Sequence, residues 1–257
     1  MSAKEKPEPT GTFWDHLEEL RGCIIRILCV VALFAVLAFC FKDLLFSVVL
    51  APRSSDFVTF RLLGVEPFSI SLMNTGLTEQ FMIHIRVACY AGLLAAMPYV
   101  VYQLFGFVSP ALYDNERHYA VRVVSASYLM FMLGTLVNYF LIFPLTVKFL
   151  GTYQVSPEVN NMLTIQSYTD TLVSMNLVMG LVFELPVLSW LLAVMGILKA
   201  GYMTAYRKHA IVAILIVSAI ITPTTDAFTL FVVALPIWLL YESSIFIVRL
   251  TMKAKSH

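Results

Sequence analysis

One carboxylate in this chain stands where a carboxylate is expensive. Glu184 lies at the centre of an apolar run, residues 171–198, that contains no other charge. If that run crosses a bilayer, an ionised side chain at its midpoint costs about 3 kcal/mol on insertion scales. The group is then expected to be protonated, hydrated in a cavity, or paired with a polar neighbour. Pro186 follows in Phe183-Glu184-Leu185-Pro186. It has no N–H to give the Val182 carbonyl, and it disfavours helical geometry at Leu185. Glu184 is therefore either a structural hydrogen-bonding group towards a neighbouring segment or a functional acid on a pathway or contact surface.

Two further clusters flank apolar runs. The stretch Asp15-His16-Leu17-Glu18-Glu19-Leu20-Arg21 reads as an amphipathic helical lead-in. Its acids also have a plain explanation, since carboxylates near a helix N-terminus complement the helix dipole. The second cluster runs from Phe105 through Phe107, Pro110, Leu112, Tyr113, Glu116 and Arg117 to His118. Its start is too apolar for a solvated linker. Aromatic residues beside a proline, closed by an acidic end, suit either an interfacial belt or a recognition surface.

The elements that hold these residues follow from composition. Hydrophobic residues make up 60% of the 257 and charged residues 13%, with a mean hydropathy of +0.83. Soluble domains carry nearly twice that share of charge. The chain reads as an all-α polytopic membrane protein forming one domain, residues 1–257. Stretches that avoid charge predict six transmembrane helices, at about 22–49, 80–105, 123–147, 171–198, 210–225 and 227–248. The long connections 51–79 and 148–170 fall on one side, the first large enough for a small cap. The fifth and sixth spans are expected to be short. A 16-residue helix rises about 24 Å against a hydrocarbon core of about 30 Å. Of the 17 Lys and Arg residues, twelve fall on the side of the termini and five opposite. By the positive-inside rule both termini face the cytoplasm.

Other classes are disfavoured. A net charge of +1 argues against a nucleic-acid partner. Cys23, Cys29, Cys40 and Cys89 lack metal-binding or redox spacing and suit small buried hydrophobes. The acidic N-terminus resembles neither a secretory signal nor a transit peptide. No metal or cofactor motif occurs, and the five histidines lie away from span centres, so an enzyme is not expected.

Three motifs carry a resemblance. HLxELR is His16 to Arg21, FxxPALYxxER is Phe107 to Arg117, and FExP is Phe183 to Pro186. A Thr-Pro turn with an acid, Thr222 to Asp226, lies between the last two runs. In this order, over nearly the whole chain, the sequence resembles the TatC family of twin-arginine translocase subunits. Some positions depart from the family pattern: Gly22-Cys23 and His118 replace commonly basic residues, and the Thr-Pro turn is one residue longer.

The resemblance implies a concave bundle in the bacterial inner membrane that binds twin-arginine signal peptides of folded cargo at its cytoplasmic face. It implies partners of the single-span TatA and TatB types, further TatC copies, and transport driven by the proton-motive force. By the same resemblance Glu19 and Glu116 contact the arginine pair. Phe107, Pro110, Leu112, Tyr113 and Arg117 shape that site, and Glu184 faces a hydrated groove where a partner helix docks. The strongest rival is a proton- or ion-coupled secondary transporter using Glu184, although no inverted repeat is evident.

Overall fold

Residues 13–64, 66–68, 70–108, 120–153, 162–222 and 226–255 are described by a computed structural model. Among them, five helical stretches are long and apolar enough to cross a membrane: Leu17–Cys40, Glu79–Phe107, Val121–Thr152, Ile165–Val194 and Ala227–Lys253. The expected fifth span is the helix Arg207–Ile221, whose 15 residues rise about 22 Å, less than a hydrocarbon core.

The first expected span, 22–49, is two helices. Helix α1, Phe13–Cys40, is separated from α2, Lys42–Leu50, by Phe41 at φ −101° and ψ 47°. At 28 residues α1 is already about 42 Å long, so a straight continuation would leave the apolar layer. Instead α2 turns back onto the bundle. Its last carbonyls are held from other elements: the Tyr139 hydroxyl donates to Val48 at 2.7 Å and the Tyr168 hydroxyl to Val49 at 3.0 Å.

A short helix α3, Val58–Leu62, follows, and then α4, Glu79–Val108, which packs along α1. Gly92 permits this contact, because a Cβ there would lie 2.5 Å from the Ala35 backbone nitrogen. The third span is α5, Ala120–Val137, a π-helical turn Asn138–Ile142, and α6, Phe143–Thr152. The irregularity coincides with a carbonyl satisfied from outside the helix. Pro144 has no N–H for the Phe140 carbonyl, and the Thr59 hydroxyl donates to that carbonyl instead. Phe57 beside Thr59 stacks on the Phe140 ring at 5.7 Å.

Helix α3 and its flanks are thus seated on the π-helical turn. Strand β1, Leu72–Met73, pairs in parallel with β2, Leu163–Thr164, tying the two long connections together. Thr164 caps the next helix, its hydroxyl accepting from the Ser167 N–H at 3.1 Å. That helix, α7, Ile165–Val182, begins six residues before the sequence boundary at 171 and is followed by α8, Leu185–Val194.

A short α9, Ala200–Ala205, leads into α10, Arg207–Ile221, and then α11, Ala227–Lys255. The expectation of a short sixth helix is wrong: α11 has 29 residues. Its charges mark where the apolar run thins, and neither Glu242 nor Arg249 interrupts helical hydrogen bonding. Glu242 pairs with Arg207 at 2.6 Å, bracing α11 against the start of α10. The largest core cluster gathers Ile142, Phe143, Met175, Met179 and Val233, all fully buried, where α5–α6, α7 and α11 meet. Around it large apolar side chains face outward, among them Leu28, Val36, Ile220 and Phe231, each at least 60% exposed. That is the inverse of a soluble surface and the pattern a lipid solvent demands.

Candidate functional site

Glu19 lies in the second turn of α1 with its side chain exposed. Phe107 lies near the last turn of α4, half buried. The two helices bring these residues to one cleft of about 250 Å³, lined also by Cys23, Arg26, Tyr102, Gln103 and Gly106. On α1 the contributors are Glu19, Cys23 and Arg26, at i, i+4 and i+7, a single face. On α4, Tyr102, Gln103, Gly106 and Phe107 form the opposing wall.

The electrostatics of the cleft are divided. Arg26 is held in place: Nε donates to the Gly22 carbonyl at 3.1 Å, and Nη1 to the Gln103 side-chain oxygen at 3.4 Å. Gln103 donates in turn to the Tyr99 hydroxyl at 2.7 Å. Arg26 thus leans on neutral partners two turns from Glu19, and the cleft carries a carboxylate at one end and a guanidinium at the other. Tyr102, 61% exposed, adds an aromatic face suited to a guanidinium plane. Pro110, Leu112, Tyr113, Glu116 and Arg117 lie outside the described residues. Cys23, Tyr102 and Gln103 belong to none of the sequence motifs, yet they line this cleft. Cys23 is four residues from Glu19 and Gln103 four from Phe107, a helical spacing that marks these two; Tyr102 has no such mark.

Glu184 is placed elsewhere, at the junction of α7 and α8. The Glu184 N–H donates to the Leu181 carbonyl at 3.1 Å, a tightened turn, and its own carbonyl receives the Leu188 N–H at 2.9 Å. The chain breaks at Phe183-Glu184, as the proline two residues later requires. The Glu184 side chain is 8% exposed, and its Oε1 is buried without a hydrogen-bond partner. Ser127 of α5, itself buried, stands close enough to the carboxyl group to act on it. Ser127 was not singled out in the sequence. A second buried polar pair, Asn138 to Asn176 at 2.8 Å, joins α5–α6 to α7 one helical stretch away.

Close packing fixes the Glu184 junction. A Cβ at Gly134 would lie 2.6 Å from the Met179 carbonyl oxygen and 2.8 Å from the Phe183 ring. Across the same contact a Cβ at Gly180 would lie 2.7 Å from the Phe131 ring. Two glycines therefore let α5 and α7 approach backbone to backbone, as small residues do between membrane helices. Among the described residues no group of three His, Cys, Asp or Glu side chains is placed to hold a metal ion.

Comparison with known proteins places this arrangement. The family model described as Sec-independent protein translocase protein (TatC) matches residues 15–236. The chain belongs to the TatC family. Among its relatives, the Sec-independent protein translocase protein TatC of Koribacter versatilis is 34% identical over 91% of this chain and 83% of its own length. That of a Blattabacterium species is 30% identical over 95% of this chain and 97% of its own. The fold superposes with a TM-score of 0.77 on a crystal structure described as the twin arginine translocase receptor TatC. The match is 29% identical and covers 92% of this chain and 99% of that one. With this family and its apolar helices, the chain is a membrane protein of the Tat protein-transport system.

Proposed function

We propose that the chain is the core subunit of a twin-arginine translocase and that the α1–α4 cleft forms part of its signal-peptide site. The observation that carries this reading is the convergence of Glu19 and Phe107, from two separate motifs, on one cleft. Glu19 and Glu116 each take a guanidinium of the arginine pair. Carboxylates suit this task, because guanidinium groups bind them bidentately while ammonium groups cannot. Pro110, Leu112, Tyr113 and Arg117 complete the surface. The reading assigns the protein no catalytic step.

Six crossings with both termini in the cytoplasm, in the bacterial inner membrane, fit the twelve-to-five distribution of basic residues. α10 then crosses a bilayer thinned around it. A reporter fused at the C-terminus and active only in the cytoplasm is expected to be active, and an inactive, stably made fusion would refute that topology. Glu184 meets a polar group of a TatA- or TatB-type helix once that helix docks beside the α7–α8 junction, and other TatC copies assemble around the same core. Glu184→Leu is expected to reduce co-purification of such a partner several-fold, whereas undiminished co-purification would refute that contact.

The whole reading is tested by complementation. In a strain lacking its own TatC and supplied with the native TatA- and TatB-type partners, this chain is expected to restore export of a folded twin-arginine reporter. A well-expressed chain that restores none would overturn it. Uptake of a small solute by liposomes containing the chain alone would favour the transporter instead.

A further inference from the structure

A cavity of about 400 Å³ lies between the first turn of α2 and the first turns of α4, apart from both sites described above. Its polar wall is Lys42, Gln80 and His84, and its apolar wall includes Phe46, Leu50 and Phe81. Lys42 is exposed and enters no ion pair among the described residues. His84 is 8% exposed. Its ring stacks on Phe39 with centroids 3.9 Å apart and meets Phe46 edge-on at 5.7 Å. The two aromatic contacts account for burial of the ring but leave Nε2 stranded, enclosed and without a hydrogen-bond partner. Leaving a buried polar atom unpaired is costly.

The wall therefore supplies donors: an ammonium, a carboxamide and, with the proton on Nε2, an imidazole N–H. No carboxylate lines it, so the complementary group is an anion rich in acceptor oxygens. Lys42 and Gln80 are the first residue of α2 and the second of α4, at the level where apolar helices give way to polar chain. Phe81, 58% exposed, extends the apolar wall outward. Donors at an interface above an apolar wall match one kind of guest, since basic pockets between membrane helices take lipid headgroups.

We propose that this cavity binds the phosphodiester of a membrane phospholipid, with one acyl chain laid against Phe46, Leu50 and Phe81. A free phosphate would satisfy the donors and leave the apolar wall unused. The phospholipid would pin the α1–α2 break, because Phe39 and Lys42 stand on either side of Phe41.

The test is native mass spectrometry of the full chain in detergent, titrated with phosphatidylglycerol, with inorganic phosphate as competitor. Wild type is expected to retain the lipid through excess phosphate. Lys42→Gln combined with His84→Phe, which keeps the ring stack, is expected to retain at least five-fold less, and Lys42→Arg close to wild-type amounts. Gln80→Leu, a milder change should the double variant fold poorly, is expected to retain about three-fold less. Retention unchanged in the folded variants would overturn the proposal. Displacement of the lipid by phosphate would overturn it too, making the cavity a free-anion site.

Discussion

Replacing Glu19 and Glu116 together by Gln is expected to weaken capture of a twin-arginine signal peptide by at least about 100-fold. A hydrogen bond to a charged group contributes roughly 1.5–3 kcal/mol, and each factor of ten in affinity is about 1.4 kcal/mol. Removing two such charge-assisted bonds at once, taken as additive, therefore weakens binding by about two decades or more. Glutamine preserves the shape and removes the charge, so the comparison isolates electrostatics from packing. Glu19 is exposed on α1, and its substitution is expected to leave the fold's thermal stability unchanged. The measurement is crosslinking of a radiolabelled precursor to the membrane-embedded chain, with export of a folded reporter scored in parallel. Unchanged crosslinking and export in the double variant would remove both carboxylates from the site.

Gly134→Leu is expected to prevent the chain from accumulating in folded form, and Gly134→Ala to lower its stability by about 1–3 kcal/mol. The space is already closed: the Cβ alone would meet the Met179 carbonyl oxygen at 2.6 Å, backbone that no side-chain rotation can move. That same carbonyl receives the Phe183 N–H at 3.0 Å, so displacing it disturbs the residue that precedes Glu184. Relief requires α5 and α7 to separate, and with them Ser127 and Glu184. Gly201→Ala is the control, because nothing lies within 4 Å of a Cβ there and alanine suits a helix better than glycine. Thermal melts of the detergent-solubilised variants measure both effects. A Gly134→Ala protein as stable as Gly201→Ala would show that the close approach is dispensable.

The legible parts of this fold were those written in charge. Avoidance of Asp, Glu, Lys and Arg located the centres of the long helices, and the pairing of Glu184 with Pro186 gave the α7–α8 break. The breaks that charge does not mark were not legible. Phe41 is apolar, so a hydropathy reading runs through it. At the π-helical turn a hydroxyl 81 residues away in sequence, Thr59, reaches the carbonyl that Pro144 leaves unsatisfied. The length of α11 was hidden for the opposite reason: the expected span stops at 248, before Arg249, whereas the helix carries both Glu242, paired with Arg207, and Arg249 and continues to Lys255. At the cleft, the motifs named Glu19 and Phe107. Cys23, Tyr102 and Gln103 carry no motif and become visible once the faces of α1 and α4 meet. Ser127 is one hydroxyl in an uncharged run, and its place beside Glu184 follows from how tightly two glycines let the helices pack.

The central claim is that the α1–α4 cleft reads an arginine pair through carboxylates. The most direct test places a photo-crosslinking amino acid at Tyr102, in the wall opposite Glu19, and offers matched precursors bearing Arg-Arg or Lys-Lys. A strong adduct is expected with the Arg-Arg precursor, at least about ten-fold weaker with Lys-Lys and abolished when Glu19 and Glu116 are Gln. Equal adducts with both precursors, or an Arg-Arg adduct indifferent to the two substitutions, would contradict that claim.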